Sequence, residues 1–410
     1  MNRHLNQSYS FENIGAAREI GLDSLLLPNQ IQRRHLQQHS IKEFDTDKLT
    51  PNDYFTLAKP FVSKMLVSPK NYSNIKTIAS YFPSGVTDFL GFEVRLNGEE
   101  SQADFALAIS GRGNARYNLM NFLSNSDFPP ALRTTKEWNR ILNFTKLWTK
   151  PKSILHDKIL GAWLEFDMPE NPPTVQIPSI FFNPAEIKGN SAKDPSEYSW
   201  FTRMAIPTLL GNPISKQIEQ NLDSCLQKMP KDASLFIVGI MLSRNTSSIR
   251  MSVQFTDPKK IIPYLYEIGW SEKNGFFASL INDLISLDVN RIVLDFDIGR
   301  SIGQPIAIEC SFFPNNYHRE HHWKSLLDYL VQKGIVTAKK RDDLLCFPGN
   351  EKTILLPDIK TKLYEQNLST SNTIIRYITH VKILYNPKDQ KLKAKAYLAI
   401  RKFGRNNICV

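Results

Sequence analysis

Six carboxylates carry the first hint of chemistry in this sequence: Glu93, Glu165, Asp167, Asp295, Asp297 and Glu309. Each falls in a stretch whose apolar residues alternate with polar ones, the period of two expected of strands with a single greasy face. Read consistently, the polar faces of these stretches share one enclosure. They also bring Arg95, Trp163, Arg250, Gln254, Lys395 and Tyr397 to it. Six ionised carboxylates in a confined, partly dry space repel one another. Some must therefore pair with Arg95, Arg250 or Lys395, hold a cation, or take up protons. For any one of them the competing reading is a solvated or salt-bridged residue at an open end. Together they suit a cationic or hydrogen-bond-donating substrate such as an indole N–H, a guanidinium or an amine, with one carboxylate as general base.

Other chemistry-bearing motifs are weaker. His318, Glu320, His321 and His322 in HREHHW have H-x-E-H-H spacing, not HExxH, and stand just before an expected helix, which reads as a solvated helix start. Gly111-Arg-Gly113 lacks the third glycine and the parallel βαβ context of a dinucleotide site. Asp295-Phe-Asp297 alternates like a strand, unlike the helical aspartate-rich motif of terpene enzymes. The cysteines Cys225, Cys310, Cys346 and Cys409 show no CxxC spacing and imply neither a disulfide framework nor a zinc knuckle.

The elements that position these residues are five hairpins. Arg291–Phe313 shows the plan: Ile292, Leu294, Phe296 and Ile298 alternate with Val293, Asp295 and Asp297, Gly299 and Gly303 turn the chain, and Ile306, Ile308, Cys310 and Phe312 line the return. The same plan recurs in Asp88–Leu96 with Gln102–Ser110 through the turn dipeptide Asn97-Gly98. It recurs again in Gly161–Met168 with Val175–Phe182, where Pro178 suggests a bulge. Phe236–Arg244 with Ile249–Phe255, and Ile374–Tyr385 with Leu392–Ile400, complete the set.

Helices are expected between the hairpins: Asn52–Leu66, Ala115–Leu123, Thr135–Leu147, Tyr198–Leu209, Pro213–Lys228, Pro258–Tyr266, Gly275–Ser286, Glu320–Lys333, Lys339–Cys346 and Pro357–Gln366, with a loop around Pro348–Asn350. Residues 1–50, with helical fragments at Ile14–Leu26 and Gln30–His39, read as an N-terminal extension to a single domain over 51–405. Ten antiparallel strands wrapped by helices are best closed into a barrel, which leaves no exposed edge. The expected class is α+β, with apolar faces turned out to the helices and polar faces turned into the lumen.

Composition is that of a globular chain: 410 residues, 41% hydrophobic and 11% aromatic. No run of about 18 apolar residues could span a bilayer, and the polar N-terminus lacks the core of a secretory signal, so the cytoplasm is expected. Much of the net charge of +11 lies in Lys388–Arg405, but it is not clustered enough to decide a partner and comes without a recognition motif or basic helix. A basic pocket for a small anion accounts for it without nucleic acid.

With its hairpins laid out this way, the chain resembles the ABBA or PT-barrel aromatic prenyltransferases across about 50–402. GFEVRL, Gly91–Leu96, looks like the family's first strand, where a Glu holds the nucleophilic substrate, here Glu93. Glu165–Asp167 and Phe181–Pro184 are similar to the fungal indole-prenyltransferase stretch in which an FD strand precedes a Lys-x-Tyr-Phe-Phe-Pro strand, although Pro178 and Ile180 stand where the family has its Lys and Tyr. Arg250-Met-Ser252-Val-Gln254 matches Arg-x-Lys-x-Tyr at the Arg alone, and Tyr397 resembles the last strand's tyrosine.

The resemblance implies a secondary-metabolic enzyme that transfers an isoprenoid group from a diphosphate donor to an aromatic or basic acceptor, a small molecule or a peptide. Glu93 would orient and deprotonate the acceptor. Arg95, Arg250, Lys395, Tyr397 and Arg401 would take the diphosphate, and an aromatic lining including Trp163 would shield the allylic cation. The family varies in metal dependence, so no cofactor is fixed and Mg²⁺ stays open. The runner-up is a barrel of the same fold that has lost the diphosphate site and modifies a cationic or peptide substrate held by Glu165, Asp167, Asp295, Asp297 and Glu309. A third class is a non-catalytic binding barrel. Oligomeric state is not set by the sequence.

Overall fold

A computed structural model describes residues 49–403, apart from 88, 245, 273–274, 304, 353–372 and 389–390. The expected helices at Ile14–Leu26, Gln30–His39 and Pro357–Gln366, together with Cys409, lie outside the described residues. The described residues all fall in one unit, Thr46–Phe403.

The strands are β1 (Phe89–Arg95), β2 (Ala103–Ser110), β3 (Ile159–Phe166), β4 (Ser179–Pro184), β5 (Ile187–Lys188), β6 (Ser234–Ile240), β7 (Ile249–Phe255), β8 (Arg291–Ile298), β9 (Ile306–Ser311), β10 (Gly349–Lys352), β11 (Thr373–Asn386) and β12 (Lys391–Phe403). Ten of them form a ring in the order β11-β12-β1-β2-β3-β4-β6-β7-β8-β9, and β9 pairs back onto β11 to close it. All the pairings are antiparallel. β5 and β10 are short additions beside β6 and β11.

Closure follows from the alternation. Leu90, Phe92 and Val94 of β1 and Ile292, Leu294, Phe296 and Ile298 of β8 are buried in the shell between sheet and helices. Glu93, Asp295 and Asp297 necessarily point the other way, into the barrel. The helices supply the second half of the core. Lys136–Thr149 starts at a Thr135 cap and buries Trp138, Ile141, Phe144 and Trp148. Two of its indoles tie it to the barrel, Trp138 Nε1 donating to the Gln176 carbonyl of the β3–β4 connection at 2.9 Å and Trp148 Nε1 to that of Ile159 in β3 at 3.0 Å.

The structure departs from the sequence reading where proline and local geometry intervene. The first helix begins at Pro51 under a Thr50–Asp53 capping box but stops at Ala58, passing into a 3₁₀ turn at Lys59–Phe61, because Pro60 has no N–H to continue it. β4 starts at Ser179, just after Pro178, so the proline precedes the ladder where a bulge within the strand was expected. The loop expected around Pro348–Asn350 is instead the start of β10. Its Gly349–Lys352 backbone pairs with Thr373–Arg376 of β11. A β-bulge does occur in β11, between Ile378 and His380.

Candidate functional site

Strand register assembles the interior one residue at a time. Glu93 lies between Tyr397 on β12 and Asp104 on β2. Its carboxylate accepts from Lys395 Nζ at one oxygen and from the Tyr397 hydroxyl at the other. Burial alone would raise the Glu93 pKa, but the Lys395 charge, backed by these hydrogen bonds, overrides it and holds the group near 2. Glu93 is therefore an anchored carboxylate, ionised at neutral pH. It is only 5% exposed.

Glu165 shares this face two strands away, next to Ala106, which is itself opposite Gly91. Small residues thus separate the two glutamates. Burial first, and then the Glu93 charge, push Glu165 up to about 8, against the weaker pull of Lys395, Lys382 and Arg244. Asp104, directly across from Glu93 and accepting the Met168 N–H at 2.6 Å, is raised to about 6 by burial and by the same negative neighbour. At neutral pH this wall holds one fixed anion beside a protonated acid, the kind of split that assigns different jobs to two carboxylates.

On the facing wall Arg250 donates two parallel hydrogen bonds to Asp297, from Nε at 2.8 Å and from a terminal nitrogen at 3.0 Å. Lys382 of β11 contacts Asp295 and lies 3.3 Å from Glu309. Those two carboxylates keep Lys382 protonated despite its burial. Asp295 is raised to about 6, by burial and then by Glu309, more than Lys382 can offset. Near one rim Asp167 accepts from Arg244 at 2.6 and 3.0 Å and from Ser243 at 2.7 Å. Arg95 is a rim residue too. It bonds Gln102 at 2.9 Å and approaches Glu100 at 3.3 Å and Asp104 at 3.9 Å.

An aromatic patch lies further along the barrel. Phe89, four residues before Glu93 on β1 and so about 13 Å away, meets Trp163 edge-on at 4.9 Å and stacks near Tyr377 at 6.3 Å. The Arg401 guanidinium sits over the Phe89 ring at 5.5 Å. The interior thus grades from charged at Glu93 to aromatic at Phe89.

The carboxylates, basic residues, Trp163, Gln254 and Tyr397 read from the sequence as sharing one enclosure lie on the interior face or at its rim. The basic ones do not form one cluster. Arg95 and Lys395 are register partners on β1 and β12, whereas Arg250 is on β7, five strands round the ring from β1. Arg250 and Lys395 already have carboxylate partners, and Gln254 reaches Arg291 only at 3.5 Å.

The sequence reading did not select Asp104, Arg244, Lys382 or His380. Asp104 was readable, since Phe105, Leu107 and Ile109 fix the outer face of β2 and leave it inside opposite Glu93. Lys382 and His380 were not, because the bulge in β11 breaks the alternation that would have placed them. Outside the barrel, Glu320, His321 and His322 bring their ligand atoms within 4.8 Å of one another. There the Glu320 carboxylate accepts the His322 N–H at 3.0 Å, at the start of the Trp323–Gln332 helix.

No known family profile matches the chain. No curated protein matches it in sequence. Among solved structures it is similar to AnaPT from Neosartorya fischeri at 12% identity, over 77% of this chain and 78% of that one, with a TM-score of 0.42. It is similar also to the NotF prenyltransferase at 13% identity, over 90% of this chain and 98% of that one, with a TM-score of 0.45. Among the described residues no helix is long and apolar enough to cross a membrane. The ring of ten antiparallel strands, closed on itself and sleeved in helices, gives the chain the α+β PT-barrel fold that its sequence pattern implied.

Proposed function

We propose that the barrel is a transfer chamber in which an aromatic or basic acceptor, a small molecule or peptide, receives an isoprenoid group from a diphosphate donor. The observation that carries this reading is the pair Glu93 and Glu165: one carboxylate held ionised near 2, the other held protonated up to about 8, on one wall of the barrel. Glu93 orients the acceptor through its N–H or O–H. In its ionised form Glu165 takes the proton that the acceptor loses as the new bond forms, while the bond from the isoprenoid carbon to the diphosphate breaks and the diphosphate leaves with its electrons. The aromatic patch of Phe89, Trp163 and Tyr377 suits the allylic cation, and Arg95, Arg250, Lys395, Tyr397 and Arg401 are the candidates for the diphosphate.

A second reading has its own support. Arg250, Lys382, Lys395 and Arg244 are each already matched to a carboxylate, so a diphosphate would have to compete with ion pairs already in place. In that case the barrel modifies a cationic or peptide substrate without a diphosphate donor. A mass-spectrometric screen of acceptors with dimethylallyl and geranyl diphosphate, together with calorimetric titration of each donor, decides between them. Prenylated product and donor binding uphold the first reading. Absence of donor binding to the wild-type chain replaces it with the second.

A further inference from the structure

His380 sits at the bulge of β11, with its ring stacked on that of Tyr397 at 4.0 Å and 22°. The neighbouring hydroxyl bears on its tautomer. Thr379 Oγ1 donates its single proton to the Tyr397 carbonyl at 3.1 Å, so at its 3.0 Å contact with His380 Nδ1 it can only accept. The tautomer that keeps both of these hydrogen bonds has Nδ1 as the N–H of a neutral ring and leaves the lone pair on Nε2. Nε2 is buried and has no hydrogen-bond partner. It points toward Glu309 Oε1 at 3.6 Å, so two acceptors converge on one space with no proton between them.

The surroundings bear on what would fill that space. Lys382 is the cation shared by Asp295 and Glu309. With both carboxylates ionised this trio is left at −1. Arg291 and Glu93 are the further charges that act on His380. Arg291 also acts on Glu309, so the geometry rather than a net charge selects the occupant: an anion would meet two acceptors, whereas a charged N–H donor satisfies both.

We propose that His380 Nε2 and Glu309 Oε1 form an acceptor pair for a cationic N–H group of the substrate, of the ammonium, amidinium or guanidinium class. This rests on the lumen being the substrate site and narrows the acceptor to a basic one. His380 acts as a positioning residue, through a lone pair held in place by Thr379.

Benzamidine serves as the cationic N–H probe and benzamide as its neutral isostere, each titrated calorimetrically into the full chain. Losing or gaining charge-assisted hydrogen bonds of this kind shifts affinity by about tenfold or more, so the wild type is expected to prefer benzamidine by at least that factor. His380→Phe keeps the ring stack but loses the lone pair, and Glu309→Gln keeps the shape but loses the charge. Each should erase most of the preference. Nitrogen-15 NMR of the histidines should show His380 as the Nδ1–H tautomer, with its Nε2 resonance moving when benzamidine is added. An Nε2–H tautomer, equal affinity for the two probes in the wild type, or a preference that survives both substitutions overturns the proposal. Prenyl transfer to neutral indoles without a benzamidine preference would sink this inference alone. A benzamidine preference without any donor binding would sink the transfer reading and leave this one standing.

Discussion

Two glutamates on one wall differ because their neighbours differ. Lys395 and Tyr397 both reach Glu93, while Glu165 has burial and a like charge but, among the described residues, no cation within hydrogen-bonding distance. If Glu165 takes the acceptor's proton, it must first be ionised, and kcat/KM should rise with pH to a limb near 8. Glu165→Gln should lower kcat by roughly 10²–10⁴ and remove that limb, with donor affinity unchanged. Glu93→Gln removes a charged hydrogen-bond acceptor and should weaken acceptor binding by about 10–100-fold, read as KM, with a smaller effect on kcat. A pH–rate profile that is the same in wild type and Glu165→Gln would exclude the proton-exchanging role.

At the level of elements, the barrel depends on close strand contacts and on cross-strand ion pairs. Gly91 of β1 faces β12 so closely that an added Cβ would lie 2.0 Å from the Leu398 carbonyl oxygen. Backbone cannot retreat as a flexible side chain would. Gly91→Ala should therefore cost on the order of 1–3 kcal/mol, seen as a lowered midpoint of chemical denaturation. The Arg250–Asp297 pair bridges β7 and β8, with both side chains about a quarter exposed. Arg250→Ala leaves Asp297 without its fork and should cost roughly 1.5–3 kcal/mol. The double variant Arg250→Ala with Asp297→Ala should recover part of that loss, because the orphaned charge is gone. A loss in the double variant equal to the sum of the Arg250→Ala and Asp297→Ala losses would show that the two residues act independently.

The whole molecule feels the buried carboxylates as a pH dependence of stability. Glu165 has a folded pKa of about 8 against an ordinary 4.5. The folded state thus keeps a proton that the unfolded chain releases. Its contribution is fully present below about 4.5 and is lost as pH rises through 8. Glu93 runs the opposite way: its pKa near 2 gives stability above 4.5 that is lost as pH falls toward 2. Scanning calorimetry should therefore find Glu165→Gln melting higher than wild type at pH 8.5 and converging with it near pH 5. Glu93→Gln should melt lower at pH 7, with the gap closing at the acid end. A Glu165→Gln melting curve that tracks wild type at both pH values would contradict the burial assigned to that carboxylate.

Alternation in Asp88–Ser110, Arg291–Phe313 and the other hairpins was enough to give ten strands, one apolar face each, and hence a closed barrel with its carboxylates inside. A period of two is a local property, and burying one face in helices leaves the other only the lumen. Glu93, Glu165, Asp295 and Asp297 were legible for the same reason. What each residue does there was not. The pairing of Lys395 with Glu93, of Arg250 with Asp297 and of Lys382 with Asp295 joins positions 302, 47 and 87 residues apart, and it arises only when β12 meets β1, β7 meets β8, and β11 closes the ring. Those contacts turn one carboxylate into a fixed anion and its neighbour into an acid, a distinction absent from residue type. The bulge in β11 shows the limit most directly. One extra residue at Thr379 hands His380 and Lys382 to the lumen, and only the pairing of that strand with β12 and β9 determines where the extra residue is accommodated.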